Sequence, residues 1–475
     1  MAPQRMRMAG TDSHQMSMPP RKKYTNDLCN GPLLKQIVLY TLPIMGALLL
    51  QLGFNAADFV VVGRFASHQA LAAVGATHSC TLLLVCFLTG FSGGSSVLAA
   101  RLYGSNDKAQ LSECVHTSML LSLIGGTIMM LIGLAISRPL LVLMKTPAEI
   151  LPLSLTYIRI IFLGMPFNMV FNFGNAILKA AGDTKRPLYY LAASGLINLL
   201  LNLYFVIALH MNVAGVATAT IISQGISAAL IWYTLAVTKD IGGLYVKKLR
   251  LRRHVLHQIF SIGIPSAFQS TSFCIANMII SSSINSFGAM ALAGNTAAFT
   301  IEHFISVASN AFNDASLNFT GQNLGGKKYS RVRKSLVYNL ALAFGIVFVA
   351  SLIVLYFGRN LLSVFNSNPE IIEWGFKRMM VMLSFYFTGS VMNVCTGTLR
   401  GSGHATASFI IVFFGACVFR VLWIFFVFPY HRTFEMLLAC FPISWILISI
   451  VSGICLFIIF RHYPKTDPLP PKPIA

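Results

Sequence analysis

Residues 40–65 read "YTLPIMGALLLQLGFNAADFVVVGRF". No turn interrupts the stretch, and it exceeds the roughly 20 apolar residues that a helix needs to cross a bilayer. Asp58 lies near its far end, with no Lys or Arg nearer than Arg64. A carboxylate inside a membrane-crossing helix is costly and normally faces a bundle interior or a wet cavity.

The rest of the chain follows the same pattern. Of 475 residues, 56% are hydrophobic and only 10% charged, and the mean hydropathy is +0.71. Soluble domains carry about 25% charged residues, so the composition predicts a polytopic all-α membrane protein. Twelve apolar runs of spanning length can be marked between about 37 and 460. The net charge of +21 would suggest nucleic acid in a soluble protein. Here the basic residues gather in short loops, as in "KLRLRR" at 248–253 and "GKKYSRVRK" at 326–334. Most lie at the termini and after every second span, which predicts that both termini are cytoplasmic.

The N-terminal segment is polar and basic, without the apolar core of a cleavable signal. It is expected to be a disordered cytoplasmic tail over 1–35. The nine cysteines mostly lie inside apolar runs and form no CxxC. They read as small core hydrophobes, not as disulfide partners or metal ligands.

The chain repeats itself. "LKAAGDTKRP" at 178–187 recurs as "LRGSGHATAS" at 399–408, and Gly104 of "LAARLYGSNDK" matches Gly325 of "FTGQNLGGKKY". Pro43 and Pro265 open the two copies. Six helices used twice predict two parallel bundles, 36–238 and 254–461, with a basic linker at 239–253 and a cytoplasmic tail at 462–475. Transporters built from such repeats run their substrate path at the repeat interface and alternate access by moving the halves.

Three carboxylates fall inside the spans: Asp58, Glu302 and Asp314. Gln51, Asn55 and Asp58 share a helix face by spacing. Asn198 and Asn202 form a second polar stripe, Asn168, Asn172 and Asn175 a third, and Thr218, Thr220 and Gln224 a fourth. Each amide or hydroxyl could equally serve as interhelical glue. Asp58 differs: a desolvated carboxyl favours its neutral form, so a proton, or a sodium ion held with amide and hydroxyl oxygens, could bias one of two helix packings. Arg420 lies inside a span and is expected to pair with Glu302 or Asp314. That pair could be structural or could line the path. No HExxH, GxSxG or paired-carboxylate motif lies within the spans, so an intramembrane enzyme is not expected. "GSG" at 401–403 follows a helix, not a strand, and reads as a tight turn.

Together, "LPIMGALLLQLGFNAADFVVVGRF", "INLLLNLYFV", "GVATATIISQ", "FTGQNLGGKK" and "LRGSGHATAS" followed by "RVLWI" resemble the multidrug and toxic compound extrusion (MATE) family, from about 33 to 460. The pieces look most like its DinF-like bacterial branch. The resemblance implies a V-shaped, twelve-helix antiporter in the bacterial cytoplasmic (inner) membrane, monomeric and without cofactor. It would export small organic cationic or amphipathic compounds against H+ or Na+, in contact with membrane lipid and not nucleic acid. It also implies a cation site at Asp58, Asn198, Asn202 and Thr220. Asn202 departs from archaeal members, which have Asp there. The alternative within the superfamily is a lipid-linked oligosaccharide flippase.

Overall fold

The computed structural model describes residues 26–464, 466 and 467. Its first six helices are α1 (Leu33–Phe65), α2 (His68–Gly104), α3 (Lys108–Leu143), the bent α4 (Leu151–Leu163 with Met165–Ala180), α5 (Lys185–Leu203, running on as a π turn Tyr204–Ala208) and α6 (Asn212–Val237). The second six are α7 (Arg253–Ile284), α8 (Ala289–Gly325), α9 (Tyr329–Tyr356), the bent α10 (Pro369–Leu383 with Tyr386–Gly401), α11 (Ala405–Val412 continuing irregularly to Val427) and α12 (Phe434–Arg461). Among the described residues, nine single helices and the two bent pairs are long and apolar enough to span a membrane. The twelfth, α8, falls outside that group because it buries Asn295, Glu302, Asn318, Gln322 and Asn323 along one helix.

Local chemistry sets the helix ends. Ser67 and Asp107 accept the backbone N–H of Ala70 and Gln110 at the starts of α2 and α3, and Thr433 does the same for Met436 at α12. Such caps satisfy donors that the first turn leaves free. The 47° bend of α4 falls at Gly164, two residues before Pro166, which cannot donate to the preceding turn. Its counterpart in α10 bends by 46° at Ser384 and Phe385 without proline.

The two sets of six meet mainly where α2 lies on α7 and α8. Glycines permit the approach. A Cβ at Gly94 would stand 2.4 Å from the Ile259 carbonyl oxygen, and one at Gly325 1.9 Å from that of Arg101. Polar links reinforce the seam. Lys179 of α4 pairs with Asp314 of α8 at 2.8 Å, and Ser96 of α2 donates to Asn318 at 3.0 Å. Among the described residues, every hydrogen bond or ion pair between the halves lies toward the side that holds Asn26 and Tyr463, here the tail side. The molecule is a V joined there.

Three expectations change. Residues 1–25 of the expected tail lie outside the described residues, but Asn26–Gly31 is ordered and seals the tail side. Asn26 N–H donates to Gly182 O of the first half, and Leu28, fully buried, donates to Gln322 Oε1 of the second. Leu33 to Lys35 already belong to α1. Lys328 and Arg331 of the second half add donations to the Cys29 and Gly31 carbonyls. Second, Cys86 of α2 and Cys274 of α7 form a disulfide across the seam. Each half supplies one sulfur, so spacing within either half could not reveal it. Third, Arg420 pairs with no carboxylate among the described residues; Arg378 takes Glu302 and Lys179 takes Asp314. Neighbouring helices decide this: α8 lies against α10, not α11.

Candidate functional site

Asp58 sits on the half of α1 away from the tail side, facing α5. Close packing brings the two helices together: a Cβ at Gly195 would fall within 2.4 Å of the Phe54 ring. Asn202 donates from Nδ2 to Asp58 Oδ1 at 2.5 Å and, more weakly, to Asn198 Oδ1 at 3.3 Å. Asn198 and Asn202 are buried, and Asn202 Oδ1 has no hydrogen-bond partner. Asp58 itself is partly exposed. The cluster therefore offers one carboxylate and two amide oxygens, one of them unused, beside an open side. Those are hard oxygen donors suited to a small cation, and the carboxyl can equally take a proton.

Not every expected member joins it. Thr220 turns its hydroxyl onto Val216 O of its own helix, one turn back. Gln51 and Asn55 are exposed and make no side-chain hydrogen bond among the described residues. They continue the polar face of α1 but form no hydrogen bond with Asp58. Asn172 donates to Asn168 O and Oδ1, and Asn175 Oδ1 is buried without a partner. That stripe stays on α4. Sequence reasoning missed Tyr157 of α4, within electrostatic reach of Asp58. An aromatic among many apolar neighbours gave no signal. The π turn Tyr204–Ala208 begins two residues past Asn202, and such turns occur often at functional sites.

The second half is arranged differently. Glu302 of α8 accepts from Arg378 of α10 through both carboxylate oxygens, at 3.0 and 2.7 Å, and Arg378 also donates to Asn295 Oδ1 at 2.7 Å. Both ends are buried and fully engaged, the geometry of a strong bidentate pair. Gln269 of α7 accepts from Ser408 of α11 at 3.0 Å. Asp314 is part of the seam. Among the described residues, no group of three or more His, Cys, Asp or Glu could hold a metal ion.

Known proteins share this architecture. The MatE family model matches residues 43–204 and again 265–426. The probable multidrug resistance protein YpnP of Bacillus subtilis (strain 168) is 28% identical over 79% of this chain and 84% of its own length. An FAD transporter of Shewanella oneidensis is 25% identical, covering 77% and 79%. Among solved structures, an outward-facing conformation of a multidrug resistance MATE family transporter of the MOP superfamily superposes with a TM-score of 0.84 at 24% identity, over 92% of this chain and 98% of that one. The matched residues fill both halves, so the chain belongs to the MatE family, a multi-pass membrane transporter and not an enzyme.

Proposed function

We propose that the protein is an antiporter that exports small organic cationic or amphipathic compounds by alternating access, driven by H+ or Na+ taken up at Asp58. The observation that carries the reading is the Asp58–Asn202 contact, with its unused amide oxygen, on the open side of a V that is shut at its other side. Relatives named as multidrug resistance and multidrug export proteins support the substrate class.

The chemistry follows from the pair. Ionised Asp58 accepts the Asn202 N–H. Protonated, it presents an O–H that suits Asn202 Oδ1, so the amide turns over. A sodium ion would be held by the same carboxylate and amide oxygens. Either event changes the contact between α1 and α5 next to the π turn of α5. That couples ion occupancy to helix packing and so to which side is open. The basic loops on the tail side make that side cytoplasmic by the positive-inside rule, with the open side outward. A flippase is not favoured, since Arg378 is already committed to Glu302 and Asn295.

The test is ethidium export by reconstituted protein, with proton and sodium gradients imposed separately. D58N is expected to lose at least tenfold of gradient-driven export. Unchanged export by D58N under both gradients would refute the coupling role.

A further inference from the structure

Arg420 stands where the first half has an amide. The two family-matched segments are displaced by 222 positions. In that register Asn55 of α1 corresponds to Asn277 of α7, Asn198 of α5 to Arg420 of α11, and Asp58 to Ile280. The second half therefore rebuilds a polar α7–α11 cluster at the place of the α1–α5 cluster, with the carboxylate gone and a guanidinium added.

The guanidinium is held with care but left incomplete. Its central carbon lies over the rings of Phe441 and Phe273, at 4.5 and 5.2 Å from their centroids. Nε donates to Ser444 Oγ at 3.0 Å and Nη1 to Asn277 Oδ1 at 2.8 Å. Nη2 is buried and has no acceptor, and the whole residue is 1% exposed. No carboxylate among the described residues forms an ion pair with it. A buried cation with neutral partners and a free N–H is short of one anionic acceptor. Compare Arg378, whose charge is neutralised by Glu302 in the same half.

Two further features point to a ligand. Asn277 and Phe273 are partly exposed, so the cluster reaches the surface through the side chains that hold it. Arg420 also lies on a single four-residue α turn, Phe419–Leu422, between π turns Phe413–Val418 and Trp423–Val427. π turns gather at functional sites in helices.

We propose that Arg420, with Asn277 and Ser444, is an oxyanion site in the second half, taking the carboxylate or phosphate group of an exported solute. The two halves then recognise opposite charges: Asp58 the coupling cation, Arg420 an anionic group. Zwitterionic aromatic compounds with a carboxylate fit it best, since Phe273 and Phe441 already supply flat faces. This rests on the export reading above, but it is tested by binding, whereas export is tested by gradient-driven flux, so the two can fail separately.

The experiment is equilibrium binding of norfloxacin, which carries a carboxylate, and of norfloxacin methyl ester, which does not, to the full chain in a nonionic maltoside detergent. The unmodified protein should favour the acid over the ester by at least tenfold. R420Q should erase that preference by weakening the acid alone, and R420K should keep part of it, because it retains the charge without the fork. N277D places a carboxylate beside Arg420; it should fold as well as the unmodified protein and lose acid binding, which keeps the test valid if R420Q does not fold. Phosphatidylglycerol that competes with the acid in the unmodified protein assigns the oxyanion to a lipid headgroup; no competition assigns it to the solute. Equal weakening of acid and ester in R420Q, no weakening of either, unchanged acid binding in N277D, or no binding of norfloxacin to the unmodified protein overturns the proposal.

Discussion

Asn202 of α5 donates to Asp58 of α1 at 2.5 Å while its own carbonyl oxygen, buried beside it, stays without a partner. The amide therefore has one committed end and one free end. This predicts an order of importance between two asparagines one turn apart. N202A should reduce gradient-driven ethidium export at least fivefold. N198A should cost less, because Asn198 reaches the carboxylate only through Asn202. Initial export rates in proteoliposomes decide it; equal losses would mean that the amide stripe acts as glue.

The Glu302–Arg378 pair is expected to be structural. E302Q would leave a buried guanidinium with only neutral partners, which destabilises by about 3–5 kcal/mol. The double variant E302Q/R378M removes both charges and should recover much of that loss. Thermal unfolding in detergent, read against R378M alone, measures the coupling. The export of correctly folded double variant should match that of the unmodified protein within about threefold.

Lys179 and Asp314 are partly exposed, at 20% and 37%, so their pair adds little to overall stability, about 1 kcal/mol or less. Its position across the seam makes it matter more for the balance between open states. K179A should leave the unfolding temperature nearly unchanged but lower the share of molecules closed on the tail side. Spin-label distances between the halves on that side would lengthen. The reversed pair K179D/D314K should restore the shorter distance.

The same seam carries a pH dependence. His404, in the turn before α11, is held below its usual value of 6.5 by partial loss of solvent and then by the nearby Arg101 of α2. Its neutral form is the one that fits. The stabilising contribution is thus present above pH 6.5 and is lost as pH falls through the lowered folded value. Protonation places two cations across the seam, near Tyr463, which also interacts with Arg101. Acidification from pH 7.5 to 5 should loosen the tail side, seen as faster hydrogen exchange at 402–404. H404Q should blunt that change.

Close packing of α2 on α7 makes a fifth measurable point. G94V sets a branched side chain against the Ile259 carbonyl and the Gly263 backbone, where even a Cβ has no room. It should disrupt the seam and depress the unfolding temperature, whereas G93V, with nothing within 4 Å of its Cβ, should be mild.

Much of this was legible in the sequence because a bilayer imposes length and apolarity helix by helix. The spans, the repeat and the polar stripes follow from such local pattern; that Asp58 should lie by Asn202 came only from the family resemblance. Partner choice did not. Arg420 looked like the mate of Glu302 or Asp314 because all three were rare intramembrane charges, but the mate of Glu302 is Arg378 of α10. Charge counting cannot say which helices touch. Thr220 shows a related limit: a helical hydroxyl can place its proton on its own backbone, and spacing does not reveal that. The Cys86–Cys274 link and the buried Leu28 depend on contacts between distant segments, and no spacing rule reports those.

The strap at Asn26–Gly31 has a consequence for how the chain is made. It precedes every helix, yet its partners Gln322 and Arg331 come 294 and 300 residues after Leu28 and Gly31. A segment made before any helix thus finds its seat only after α8 and the start of α9 are in place. Until then Leu28 is uncovered and the tail side of the first half stands open. One door of the transporter can therefore close only once the second half has begun to be made.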